Sequence, residues 1–236
     1  MSSNSQSSFA SRLGKAKTLV TTVSSYTDYT APVATASVAT ITQTITDIEA
    51  VQQQYNTAKS DYTLKTNQRK QIFTENEDAL EKRLSPIRTF IEALKGKNST
   101  ELVQITSLVN KIRGNTTKST TVSTESETDT ISQIERTYAS RLSNFKNIID
   151  ILTSLGASYA PPNEQITLTA LTEYATTAEA SITAVDVCLS VFKPIINQRK
   201  TMFDTLREQT QSMKNFIKAQ YGLSSNEYNQ VKKLSI

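Results

Sequence analysis

Residues 168–206 read LTALTEYATTAEASITAVDVCLSVFKPIINQRKTMFDTL. The apolar positions in this stretch are Leu168, Leu171, Ala175, Ala178, Ile182, Val185, Leu189, Phe192, Ile196, Phe203 and Leu206. Steps of three and four alternate without losing phase, which is the period of a helix and not of a strand. The phase runs on through Met213, Phe216 and Ile217 to Gly222. A seven-residue repeat kept up over this length implies supercoiled packing against neighbouring helices. Pro194 lies inside the run. Proline bends a helix interior, but the unbroken phase favours one kinked helix over two unrelated ones. If continuous, roughly 55 residues would span about 80 Å.

The same register appears earlier in the chain. Val38, Ile41, Ile45, Ile48, Gln52, Tyr55, Lys59, Tyr62, Thr66, Arg69 and Phe73 form a weaker stripe that continues to Leu94. Literal repeats accompany it. Ala10-Ser11-Arg12-Leu13 returns as Ala139-Ser140-Arg141-Leu142, and Asn67-Gln68-Arg69-Lys70 returns as Asn197-Gln198-Arg199-Lys200. Phe90-Ile91 and Gly96 match Phe216-Ile217 and Gly222. The offset stays between 126 and 130 residues, which marks one tandem duplication. The boundaries it sets are a first helical repeat over 1–113, a Ser/Thr-rich linker over 114–130 and a second repeat over 131–236. The kinked continuous helix is expected in the first repeat too, across Pro86.

Each repeat opens with a shorter amphipathic helix. Ile134, Tyr138, Leu142, Phe145, Ile148, Ile149, Leu152 and Leu155 form it in the second copy. Phe9, Leu13, Ala16, Val20, Val23 and Tyr26 form it in the first, with smaller side chains. Gly96, Gly114, Gly156 and Gly222 read as helix stops. Asn98 with Glu101, and Ser224 with Glu227, have the spacing of a capping pair that opens one more helix in each copy. The fold class expected is all-α: two tandem homologous helical repeats forming an elongated, antiparallel, coiled-coil-like bundle.

Composition removes most chemistry. Histidine is absent and Cys188 is the only cysteine. That leaves no imidazole base or ligand, no thiolate zinc site and no intramolecular disulfide. No pair of glycines has the spacing of a phosphate or dinucleotide loop. The net charge of +4 comes from 26 basic and 22 acidic residues with interspersed signs, so no nucleic-acid footprint is read. No run reaches the length of a membrane span, and no apolar leader is read at the N-terminus, which gives a cytoplasmic expectation. The Ser-rich, acid-free first 27 residues resemble a transit peptide in composition, but their match to residues deep in the chain argues for a structural helix. The acids Glu75, Glu77, Asp78 and Glu81 are expected on a solvated helix face.

No catalytic, cofactor-binding or metal-ligating residue is nominated. The positions singled out are Arg69 and Arg199, equivalent in the two repeats and both on the apolar stripe. A buried arginine must find partners, because an unpaired interior charge is costly. Asp61, Asp186, Asn67 and Asn197 are the expected partners in a structural polar seam; the alternatives are an anion or ligand contact inside the bundle, or simple exposure. Cys188 is expected as core filler. The alternating threonines near 38–46 could suggest a strand or an ice-binding face, but Ile41, Ile45 and Ile48 keep helical phase.

The stretch from Tyr138 to Phe145, Tyr159-Ala160-Pro161-Pro162-Asn163-Glu164, and the ending from Tyr221-Gly222 to Tyr228-Asn229-Gln230-Val231 resemble a set of uncharacterised duplicated helical proteins of Bacteroidota-type bacteria. The resemblance implies a lineage and a helical fold, and transfers no functional residue. The function expected is non-catalytic: a structural or protein-interaction bundle, self-associating as a homo-oligomer, with no small-molecule substrate. The alternative is a membrane-acting, pore-forming-like helical protein, soluble before rearrangement, with residues 180–196 as the inserting segment. Asp186 and Lys193 weigh against it.

Overall fold

The computed structural model of the protein describes residues 8–114 and 130–236, with side chains from Tyr138 onward in the second span. The interior of the 114–130 linker and the side chain of Ile134 lie outside the described residues. Seven α-helices and no β-strand occur among those described. They are α1 (Phe9–Ser24), α2 (Val38–Lys70), α3 (Leu80–Lys95), α4 (Thr100–Arg113), α5 (Thr130–Ser154), α6 (Leu168–Tyr221) and α7 (Asn226–Val231). The threonine-alternating stretch near 38–46 is helical, and its isoleucines are buried while the threonine hydroxyls bond back to carbonyls four residues earlier.

Helix α6 runs for 54 residues with Pro194 inside it, as the periodicity indicates. The first half of the chain departs from the expectation of one continuous helix. It breaks, and the break is not at Pro86, which lies within α3. Helix α2 ends in a π-turn over Gln71–Glu75, and Asn76 turns extended. The cause can be counted. Phe203 and Leu206 are three residues apart; their counterparts Phe73 and Leu80 are seven apart, and all four are buried. Four extra residues exceed one helical turn. The chain absorbs them by widening, with the Asn76 amide donating to the Gln71 carbonyl at 3.1 Å, and then by leaving the helix until Leu80. Both core side chains thereby still reach the interior.

The glycine stops hold. Gly96 and Gly222 take φ of 88° and 96° directly after α3 and α6, a region open to glycine and strained for other residues. The caps fall one residue later than the spacing suggests. Ser99 and Ser225 are the N-caps, and their hydroxyls accept from the Leu102 and Tyr228 amides. Glutamate therefore stands at the second helical position, where it favours the helix dipole without closing a reciprocal box.

The chain forms two compact units, residues 1–60 with 190–236 (unit 1) and residues 61–189 (unit 2). The sequence repeats, 1–113 and 131–236, are each divided between them, so each unit draws helices from both halves. In unit 1 the core is Leu19, Val23, Ile41, Ile45, Ile48, Phe203, Leu206, Met213, Ile217 and neighbours. In unit 2 it is Phe73, Leu84, Ile87, Ile105, Val109, Phe145, Ile148, Leu152, Leu171 and neighbours.

Parts of α2 and α6 run antiparallel in both units. In unit 1 the Tyr55 ring meets Phe192 and Gln52 meets Arg199. In unit 2 the Tyr174 hydroxyl donates to the Ile72 carbonyl at 2.8 Å. One device recurs in both. Tyr29 donates to the Ala36 carbonyl at 2.9 Å, and Tyr159, 130 residues later, donates to the Ile166 carbonyl at 2.6 Å. Each bond ties down the short 3₁₀ turn that follows a proline-bearing loop and precedes α2 or α6.

Candidate functional site

Arg69 and Arg199 belong to two arginine–aromatic clusters, one in each unit. In unit 1 the Arg199 guanidinium carbon lies 3.5 Å from the Tyr55 ring centroid and 4.2 Å from that of Phe9. Phe9 packs on Phe203 with centroids 4.6 Å apart. Arg12 covers the Phe203 ring at 5.0 Å and donates to the Phe203 carbonyl at 3.1 Å. Arg199 Nη1 donates to Gln52 Oε1 at 3.3 Å, and the Gln52 amide nitrogen donates to Asn56 Oδ1 at 2.9 Å. A guanidinium can only donate, so the Arg199 bond sets which way the Gln52 amide faces.

Unit 2 repeats the arrangement with residues 129 or 130 positions away. Arg69 lies 4.3 Å from the Tyr138 centroid. Tyr138 meets Phe73 edge-on at 4.9 Å. Arg141 lies 5.6 Å from Phe73 and 5.7 Å from Tyr138, and it pairs with Glu81. Helical spacing explains each set: residues three or four apart on one helix share a face, so 9 with 12, 69 with 73, 138 with 141 and 199 with 203 stand together. In both units, an arginine pair from two helices is laid over aromatic rings, an arrangement favoured by the ring quadrupole.

The expected partners of the seam arginines are not the ones that touch them. Asp61, Asn67, Asp186 and Asn197 are exposed, and the groups in contact are rings and Gln52. Arg69 is 1% exposed, and its Nε and Nη1 have no hydrogen-bond partner among the described residues. Arg199 is only partly buried.

The acidic cluster does not sit on a helix face. Glu75, Glu77 and Asp78 lie in the π-turn and the break that follows it, exposed, and Glu81 opens α3. Glu75 pairs with Lys70, Asp78 with Arg83 and Glu81 with Arg141. Among the described residues no three acids or cysteines lie together in a way that could hold a metal ion. Cys188 is partly buried.

Sequence reasoning missed Arg83. It is buried, stacked at 4.0 Å on the Tyr174 ring, and it donates from Nε to the Asp78 carbonyl at 3.0 Å and from Nη1 to the Gln165 carbonyl. It joins the chain break to the turn before α6. A signal existed: Arg83 falls among Leu80, Leu84 and Ile87 on the buried face of α3. Arg12 and Arg141 were also legible, since both sit in the repeated Ala-Ser-Arg-Leu motif. Burial pushes the Tyr159 phenol well above its ordinary pKa and raises Tyr29 in the same sense, while desolvation lowers Lys214, whose Nζ donates to the Leu234 carbonyl at 2.9 Å.

No family model, curated protein or solved structure matches this chain.

Proposed function

We propose that this chain is a non-catalytic helical interaction module that associates with a second copy of itself through the outer face of α6. The observation that carries the reading is that α6 is apolar on a second side, about a third of a turn round from its buried face. Val185, Leu189 and Phe192 are buried on the inner side. Ala184, Val187, Val191 and Ile195 follow one another at steps of three and four on the other side, and Val187 and Val191 are each 56% exposed. An exposed apolar stripe beside a buried one marks a surface that a partner covers. A second copy of this chain presents the same exposed valines and so can supply the cover.

The recurring cluster residues and the matched Tyr29 and Tyr159 ties support a duplicated module in which both halves serve as scaffold. The arginines that recur are stacked on aromatic rings, and this is the basis for assigning them architecture rather than catalysis. Among the described residues no helix is long and apolar enough to cross a membrane.

Light scattering behind size-exclusion chromatography tests the reading. The wild-type chain is expected to run as a dimer, and Val187→Asp with Val191→Asp as a monomer with unchanged helical circular dichroism. A wild-type chain that stays monomeric at the highest concentration it tolerates would overturn it.

A further inference from the structure

Unit 2 contains two buried arginines with opposite fortunes. Arg83 has two carbonyl acceptors, the Asp78 carboxylate at 3.6 Å and the Tyr174 ring. Arg69 is more deeply buried, lies over the ring of Tyr138, and has no hydrogen-bond acceptor for Nε or Nη1 among the described residues. Its unpaired donors have company. Thr66 Oγ1, one turn earlier on α2, and Arg141 Nε, which approaches the same Tyr138 ring, are likewise buried with no hydrogen-bond partner among the described residues. Two guanidinium groups share one ring while the neighbouring acids are committed elsewhere: Glu81 to Arg141, Asp78 to Arg83 and Glu75 to Lys70. Among the described residues, one positive charge is left in the interior without a counter-charge. An interior charge in that state is strongly unfavourable unless something pairs with it.

Unit 1 shows what is missing. There Gln52 supplies an acceptor to Arg199 and Tyr55 a second ring. The positions 130 residues later are Ile182 and Val185, which offer neither. We propose that unit 2 supplies the lack from solution, by binding a small inorganic anion, chloride-like in size and charge, against Arg69 and Arg141 with the Thr66 hydroxyl as a further donor. Every unpaired group there is able to donate, which suits an acceptor-only ligand. Arg141 also lines a cleft of about 470 Å³ with Ser140, Lys111, Arg113 and Glu81. The cationic excess of that cleft draws anions to the Arg141 side of the cluster.

Thermal unfolding in chloride, with gluconate replacing it at constant ionic strength, tests the site. Wild-type protein is expected to gain several degrees in Tm as chloride rises, saturating as a single site does. Arg69→Met is expected to abolish the dependence and Arg199→Met to keep it. Equal dependence in Arg69→Met would place any bound chloride elsewhere and overturn the assignment. Should Arg69→Met not fold, bromide-soaked wild-type crystals decide. An anomalous peak within hydrogen-bond distance of Arg69 Nε or Nη1 is expected, and water alone at those donors would refute the site.

Discussion

Ala16 in unit 1 and Phe145 in unit 2 hold matching places on α1 and α5, 129 residues apart, and neither side chain reaches solvent. One scaffold therefore closes over a methyl in one unit and over a benzyl in the other. The neighbours differ to match. Leu19 and Val23 line unit 1 where Ile148 and Leu152 line unit 2. Unit 2 also receives α4, of 14 residues, where unit 1 receives α7, of six. The comparison teaches that an equivalent backbone position does not carry an equivalent energy. Phe145→Ala should have the largest effect, costing about 3–5 kcal/mol through lost burial and the cavity left behind. Ala16→Phe should also destabilise, by about 1–3 kcal/mol, because no space waits for the ring. Urea denaturation of both variants measures the contrast. If the two costs came out equal, or Ala16→Phe stabilised the chain, the two cores would not be packed as described.

What the sequence makes legible follows from the same contrast. Helical phase is a local property, so α1, α5, α6 and the glycine stops can be read from spacing alone. The break after α2 is hidden, because the apolar stripe stays approximately in phase across the four extra residues: 3.6 residues make a turn, and an insertion of four shifts the face only slightly. The excess shows only as a change of offset from 130 to 126 between Arg69 and Phe90. The division into units is out of reach, since it depends on which distant helices pair. Spacing puts the seam arginines on the correct stripe, but charge alone points to carboxylate partners, and rings take that place. The clue to stacking is that Phe9 and Tyr138 recur at matching places beside Arg12 and Arg141.

The tyrosine ties sharpen the comparison along the pH axis. Burial raises the Tyr159 pKa above the ordinary value of 10.0. The folded chain then keeps a proton that the unfolded chain gives up, so this contribution is fully present below pH 10 and is lost progressively as pH climbs from there towards the folded-state value. Lys214 in unit 1 works in the opposite sense. Desolvation lowers its pKa, the folded chain sheds that proton first, and stability is recovered as pH rises through the folded-state value towards 10.5. Tyr159→Phe should cost about 1 kcal/mol at neutral pH through the lost bond to the Ile166 carbonyl. It should also flatten the alkaline fall in Tm. Melting curves across the range above pH 10 check this, and a fall as steep as that of wild type would mean that the Tyr159 phenol ionises with the fold intact.

The smallest effect lies at the cluster that is already satisfied. Arg199 gains from two rings and one amide, but it is partly solvated, and cation–π contacts in such a setting are worth about 0.5–1 kcal/mol. Arg199→Met keeps the apolar stem against Tyr55 and Phe9 and removes only the charge, so a loss of about 1 kcal/mol is expected, insensitive to which anion is present. Arg69→Met in chloride-free buffer should cost less than that, or stabilise, because it deletes a charge buried without an acceptor. The order of the two variants carries the information. Arg199 and Arg83 are held by acceptors that the protein provides, whereas the acceptor proposed for Arg69 is taken up from solution. Were Arg69→Met the costlier change even without chloride, the protein itself would be pairing that charge, and the two units would be alike where they now differ.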